Sequence, residues 1–236
     1  MSSAPSYQNP EFDEFADSYD EALQQGLSVS GERKEFFAHG RVAWLQHRLQ
    51  ALSFLPKRVL DFGCGTGTAA PFLLALAGLE ELIGVEVSAK SLVVARRLHG
   101  GPKAGFHLNT EFEPQGTIDL VYCSGVFHHI PLTERAGAVR YLFQALRPGG
   151  ILALFENNPW NPGTRYIMSR IPFDRDAIPL APPATKQLLR AGGFEIAGVD
   201  FLFFFPARLR ALRFAERFLA KVPLGAQYQV LAVRPS

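Results

Sequence analysis

The sequence predicts an α/β fold built on a parallel sheet, and three observations carry that prediction. From residue 58 onward, short apolar runs alternate with helical patterns. The run Val59-Leu60 ends in a carboxylate, Asp61, and passes straight into glycines at every second position, Gly63, Gly65 and Gly67. A helical apolar pattern follows at once, in Ala69, Phe72, Leu73 and Leu76. Strand, glycine turn and helix in that order make a nucleotide-sized site. Glycine lets the backbone approach a ligand, and a helix start offers unpaired N–H groups.

Residues 58–61 read as the first strand and 69–77 as a helix, with Pro71 accommodated in its first turn. Residues 81–87 are the second strand, and Ser88 is placed to cap a helix over 89–98. Strands follow at 106–108 and 118–123. A helix over 132–146 then shows Val139, Leu142, Phe143 and Leu146 on one face. Arg147-Pro148-Gly149-Gly150 should end that helix in a turn before a fifth strand, 151–155. Residues 157–183 break the rhythm with six prolines and read as a substrate-side insertion. A helix over 185–190, a Gly192-Gly193 stop, a strand over 194–205, an amphipathic helix over 207–221 and a strand over 227–233 complete the order. Residues 1–52 read as an N-terminal helical lid, with an acidic start and one helix over 32–52, and residues 53–236 as the main domain.

The chain has 236 residues and a formal net charge of +2, without the basic footprint of a general nucleic-acid binder. Residues 1–30 hold six acids and no Lys or Arg, unlike a signal peptide. No apolar run approaches the ~20 residues of a membrane span. Two cysteines make no disulfide framework, so a cytoplasmic setting is expected. No carboxylate/His ligand cluster is apparent, so catalysis without a metal is expected.

The glycine turn alone leaves its ligand open. A dinucleotide site needs G-x-G-x-x-G, with the third glycine packing helix on strand, but the sixth position here is Thr68. Glu86, 19 residues past Gly67, ends the second strand where a carboxylate accepts hydrogen bonds from ribose hydroxyls. That role serves NAD as well, so an NAD-dependent oxidoreductase stays open at this point.

The form Asp61-x-Gly63-Cys64-Gly65-x-Gly67 resembles motif I of class I S-adenosylmethionine-dependent methyltransferases. The stretch Ile118 to Ile130, with Leu146-Arg147-Pro148-Gly149-Gly150, is similar to small-molecule methyltransferases of ubiquinone and menaquinone biosynthesis. The resemblance covers roughly residues 55–156. It implies a Rossmann-like seven-stranded sheet, mostly parallel, with helices on both faces and an antiparallel last strand. It also implies S-adenosylmethionine held along Asp61, Gly63, Cys64, Gly65 and Gly67, by Glu86 and Val87, near Thr110, and by the loop Ser124, Gly125 and Val126. Tyr19, in Phe15-Ala16-Asp17-Ser18-Tyr19-Asp20, resembles the family's cover over the methyl donor. Two features depart from the pattern: the second-strand acid is Glu rather than Asp, and Leu108-Asn109-Thr110-Glu111 lacks the usual Gly-Asp pair.

The implied reaction is methyl transfer to a small-molecule acceptor, with oxygen or carbon as the nucleophile. Alignment does most of the work, and the departing thioether needs no acid. A hydroxyl or acidic carbon must still lose a proton, and His128 or His129 is the candidate base. Glu156, Asn157 and Trp160 leave the ligand-facing end of the fifth strand and are expected to touch substrate. Arg210, Arg213, Arg217 and Lys221 share one face of the 207–221 pattern, opposite Leu209, Leu212, Ala215, Phe218 and Leu219. Such a helix packs on its own domain or meets a lipid surface or lipid-like acceptor. A methyltransferase-fold protein that binds without turnover is the non-enzymatic alternative.

Overall fold

The computed structural model describes residues 26–174 and 177–236. Seven strands form one sheet: β1 (Arg58–Phe62), β2 (Glu81–Glu86), β3 (Ala104–Leu108), β4 (Ile118–Ser124), β5 (Leu146–Asn157), β6 (Glu195–Leu202) and β7 (Gln227–Val233), in the order β3-β2-β1-β4-β5-β7-β6. The first five run parallel, and β7 lies antiparallel between β5 and β6. In β1, Val59 to Phe62 are all buried, as a parallel strand covered on both faces requires.

The helices are α1 (Lys34–Ala51), α2 (Ala70–Leu74), α3 (Ala89–His99), α4 (Arg135–Ala145), α5 (Pro162–Met168), α6 (Pro182–Ala191) and α7 (Glu216–Leu219). Val42, Leu45 and Leu49 of α1, Leu73 of α2 and Leu92 of α3 join one core with Val59, Leu82 and Leu120. Ala138, Val139 and Leu142 of α4 and Leu189 of α6 join the other with Leu60, Val85 and Val121. Alternate residues of one strand thus feed opposite layers, as a period of two requires.

Side-chain caps start two of the helices. Ser88 Oγ accepts the Ser91 N–H at 3.2 Å and starts α3. Asn161 Oδ1 accepts the Thr164 N–H at 2.9 Å and starts α5, with Pro162 in the first turn. That helix and a 3₁₀ turn, Pro172–Asp174, occupy part of the segment expected to be irregular.

Two expectations need correction. Arg147-Pro148-Gly149-Gly150 lies within β5 as a bulge, because Ile118 pairs with Leu146 while Leu120 pairs with Ile151. Gly149, at φ 73°, turns the excursion, and its N–H donates to Arg234 O at 2.9 Å. The 207–221 region is not one amphipathic helix but a 3₁₀ segment, Ala207–Ala215, kinked at Leu209, followed by the single turn of α7. Leu209, Leu212, Ala215 and Phe218 recur every third position, a spacing that a threefold helix satisfies as readily as an α-helix. Glu216 Oε1 pins the preceding turn by accepting the Phe204 and Phe205 N–H groups at 3.0 and 2.9 Å. No helix among the described residues is long and apolar enough to cross a membrane.

Candidate active site

Two adjoining cavities open at the C-terminal ends of the parallel strands, the edge where open α/β sheets bind ligands. Gly63, Gly65, Glu86, Val87, Ser124, Gly125 and Val126 line the first, as the sequence predicts. Gly65 holds φ 53°, and the space its missing Cβ would fill is open, so the loop leaves room beside its backbone. Gly63 makes room differently, since a Cβ there would fall 2.3 Å from Val126 Cγ2.

Glu86 organises this cleft. Its Oε2 accepts the Gly65 N–H at 2.9 Å, and its Oε1 accepts the N–H groups of Val87 and Ser88 at 2.7 and 3.1 Å. These three backbone N–H groups hold the carboxylate in one orientation at the cleft. Asp61 lies buried under the loop, and its Oδ2 has no hydrogen-bond partner. Burial, reinforced by the Glu86 charge and opposed by Arg41, lifts the Asp61 carboxyl to about 7. An orphaned carboxylate oxygen beneath a glycine cradle suits a ligand bearing a cation and N–H donors. S-adenosylmethionine brings both, whereas a pyrophosphate would set its charge against Asp61 and Glu86.

Asp61 lies beneath the cavity lining rather than in it, and three further expected contacts fall elsewhere. Cys64 is buried against Gly84, where a Cβ would sit 3.0 Å from its Sγ. Gly67 is a packing glycine, since a Cβ there would lie 2.7 Å from His99 Cδ2. Thr110 is exposed, and its neighbour Asn109 lines the cleft instead. Thr66 and Ser91 also line it, polar residues without spacing distinctive enough to single them out. Tyr19 lies outside the described residues.

The second cavity, about 440 Å³, shares Ser124, Gly125 and His129 with the first. Aromatic walls come from Phe36 and Phe37 of α1 and from Phe203 to Phe205 after β6. Phe203 adopts φ 62°, unusual for a non-glycine residue, and its ring packs 5.0 Å from that of Phe37. Gly40 makes that possible, because a Cβ there would come 2.6 Å from Phe203 Cε1. Arg41 faces the same cavity, donating to Tyr122 Oη and Gln227 Oε1 at 3.0 Å each. Asn157 lines the cavity as expected, but Trp160 is 48% exposed and outside it.

Glu156 is not exposed to substrate. Fully sequestered at the end of β5, it accepts the Phe127 N–H at 2.8 Å and pairs with His128 Nδ1 at 2.6 Å. On the other side of that ring, His128 Nε2 lies 3.5 Å from Asp174 Oδ1, and His129 Nε2 lies 3.3 Å from the same oxygen. Burial disfavours an imidazolium at His128, but Glu156 and Asp174 outweigh it and raise the ring to about 10. Burial and the adjacent His128 charge lower His129. Both histidines hold Asp174 down to about 2 against its own burial. Both ring nitrogens of His128 thus face carboxylates, Glu156 at Nδ1 and Asp174 at Nε2. The expectation that no His/carboxylate cluster exists is corrected: His128, His129 and Asp174 form one. Asp174 escaped the sequence reading because it lies far along the chain in the proline-rich stretch.

The two cavities share a wall, an arrangement that can hold two ligands side by side. The model of the methyltransferase domain family matches residues 60–152. The chain is 32% identical over 175 residues to ubiquinone biosynthesis O-methyltransferase of Bordetella pertussis, covering 67% of this chain and 70% of that protein. It is 27% identical over 177 residues to demethylmenaquinone methyltransferase of Thermus thermophilus, covering 62% and 78%. In fold it resembles a SAM-dependent methyltransferase from Archaeoglobus fulgidus, at TM-score 0.60 and 17% identity over 81% of this chain and 94% of that one. The protein belongs to the class I S-adenosylmethionine-dependent methyltransferases. It is an enzyme whose methyl donor is S-adenosylmethionine, which sets aside the oxidoreductase reading.

Proposed function

We propose that this methyltransferase acts on a small, largely apolar acceptor through an oxygen or acidic-carbon nucleophile. The adjoining of the two cavities carries this reading, since Ser124, Gly125 and His129 line both of them. When bound, S-adenosylmethionine supplies an electrophilic methyl group. Glu86 and the Gly63–Gly65 backbone orient the donor from one side. The aromatic walls align the acceptor from the other and exclude water. Asn157, Arg41 and Gln227 supply polar contacts beside the aromatic walls. An oxygen or acidic carbon must shed a proton, and we assign that activation to the group His128, His129 and Asp174.

A lipid-like acceptor fits the same picture. Leu209, Leu212, Phe214 and Phe218 are exposed beside the Phe203–Phe205 wall, interleaved with exposed Arg208, Arg210 and Arg217. Apolar and basic residues together suit an anionic membrane surface. The relatives named for ubiquinone and menaquinone biosynthesis support an acceptor of that kind.

Calorimetry with S-adenosylhomocysteine, followed by turnover against hydroxylated aromatic and quinol acceptors, tests the reading. Product binding with O- or C-methylation supports it. Product binding without turnover across phenols, quinols and acidic carbons, or methylation confined to amines, overturns it. Failure to sediment with anionic vesicles at low salt removes the membrane component alone.

A further inference from the structure

We propose that His128, His129 and Asp174 form a divalent-cation site of zinc type facing the acceptor cavity. The inference rests on the acceptor-side reading above and specifies how that side is activated. One ligand atom from each residue lies within 4.8 Å of the others. The Asp174 oxygen stands 3.5 Å from His128 Nε2 and 3.3 Å from His129 Nε2. Two ligands on a tetrahedral ion with bonds of about 2.0–2.1 Å are separated by about 3.3 Å. The observed gaps therefore match two edges of a tetrahedron and exceed ordinary hydrogen-bond lengths.

The surroundings are built for such an ion. Glu156 lies at the far nitrogen of His128, 2.6 Å from Nδ1, and is itself anchored by the Phe127 N–H. A ligating histidine characteristically gives its other N–H to a carboxylate, which fixes the tautomer and turns the second nitrogen toward the metal. Asp174 is held by its own backbone, its N–H donating to Ile171 O at 3.1 Å and its carbonyl accepting the Ala177 N–H at 3.2 Å.

All three residues border the acceptor cavity. Three protein ligands leave a fourth position for water or an acceptor oxygen, the pattern of catalytic rather than structural zinc. Two imidazoles and a carboxylate favour zinc and its neighbours in the first transition row over magnesium or calcium. A hydroxyl at the fourth position ionises more readily because the cation stabilises its anion, and the proton passes to bulk water.

The test uses full-length protein stripped with a chelator and titrated with Zn²⁺ and with Co²⁺, whose visible absorption reports tetrahedral ligation. One ion per chain with a tetrahedral cobalt spectrum is expected. Asp174→Asn and His129→Gln should each weaken zinc at least tenfold, and Glu156→Gln about 10–100-fold through His128. S-adenosylhomocysteine binding by Asp174→Asn and Glu156→Gln, whose side chains stand outside the donor cavity, reports folding and should stay within about threefold. No stoichiometric zinc, or zinc bound equally by the variants, overturns the proposal. Loss of S-adenosylhomocysteine binding by the unmodified protein would instead strike the methyl-donor reading, whatever zinc does.

Discussion

Glu156 Oε2 lies 2.6 Å from His128 Nδ1, and neither side chain reaches solvent appreciably. Both oxygens of Glu156 are engaged, one by the ring and the other by the Phe127 N–H. The residue that sequence position marks as a substrate contact therefore positions the histidine loop.

Glu156→Ala should lower stability by about 3–5 kcal/mol, because it opens a buried ion pair and orphans a backbone donor. Glu156→Gln keeps an acceptor for Phe127 and should lose less. Urea unfolding of the two variants checks this, and equal losses would mean that charge outweighs geometry here.

Donor affinity should depend on pH through Asp61. Its carboxyl titrates near 7, raised by burial and by Glu86 against the pull of Arg41. A ligand ammonium favours the ionised form, so below that value binding must first expel a proton. Affinity for S-adenosylhomocysteine should then fall toward about tenfold per pH unit and flatten above. Calorimetry from pH 5.5 to 7.5 would show the slope, and Asp61→Asn should abolish it.

Two glycines of one turn should fail in opposite ways. Gly65→Ala adds strain of about 1–2 kcal/mol and projects a methyl into open cleft, so donor affinity should drop at least tenfold. Gly67→Ala meets His99 at 2.7 Å as well as an unfavourable φ, so it should chiefly lose stability, by about 2 kcal/mol or more. Paired unfolding and binding measurements separate them.

Trp160→Ala should leave kcat/KM for the acceptor within about twofold, because the side chain is solvent-exposed and outside the cavity. Asn157→Ala should raise acceptor KM about tenfold through a lost polar contact. The reverse ranking in steady-state kinetics would put the acceptor in a different place.

What depends on near neighbours was legible in the sequence. The glycine turn, the Ser88 cap and the Glu86 strand end all show in short windows, and all stand where their chemistry places them. Arg41, Asp174 and Phe203 gave no such signal, because each acquires its role only when distant segments meet. Trp160 misled for the same reason: its place after β5 marks the ligand edge, but the Asn158 turn leaves it facing solvent, with its N–H on Asn158 Oδ1. The 207–221 stretch misled differently, through a spacing of three that two helix types share.

Because β7 separates β5 from β6, the strand that precedes it in sequence has no neighbour in the sheet until residues beyond 226 arrive. Synthesis therefore completes the donor half first. The Phe203 wall, which follows β6, thus depends on the last ladder of the sheet, whereas the donor loops follow β1, β2 and β4, whose partners come earlier in the chain.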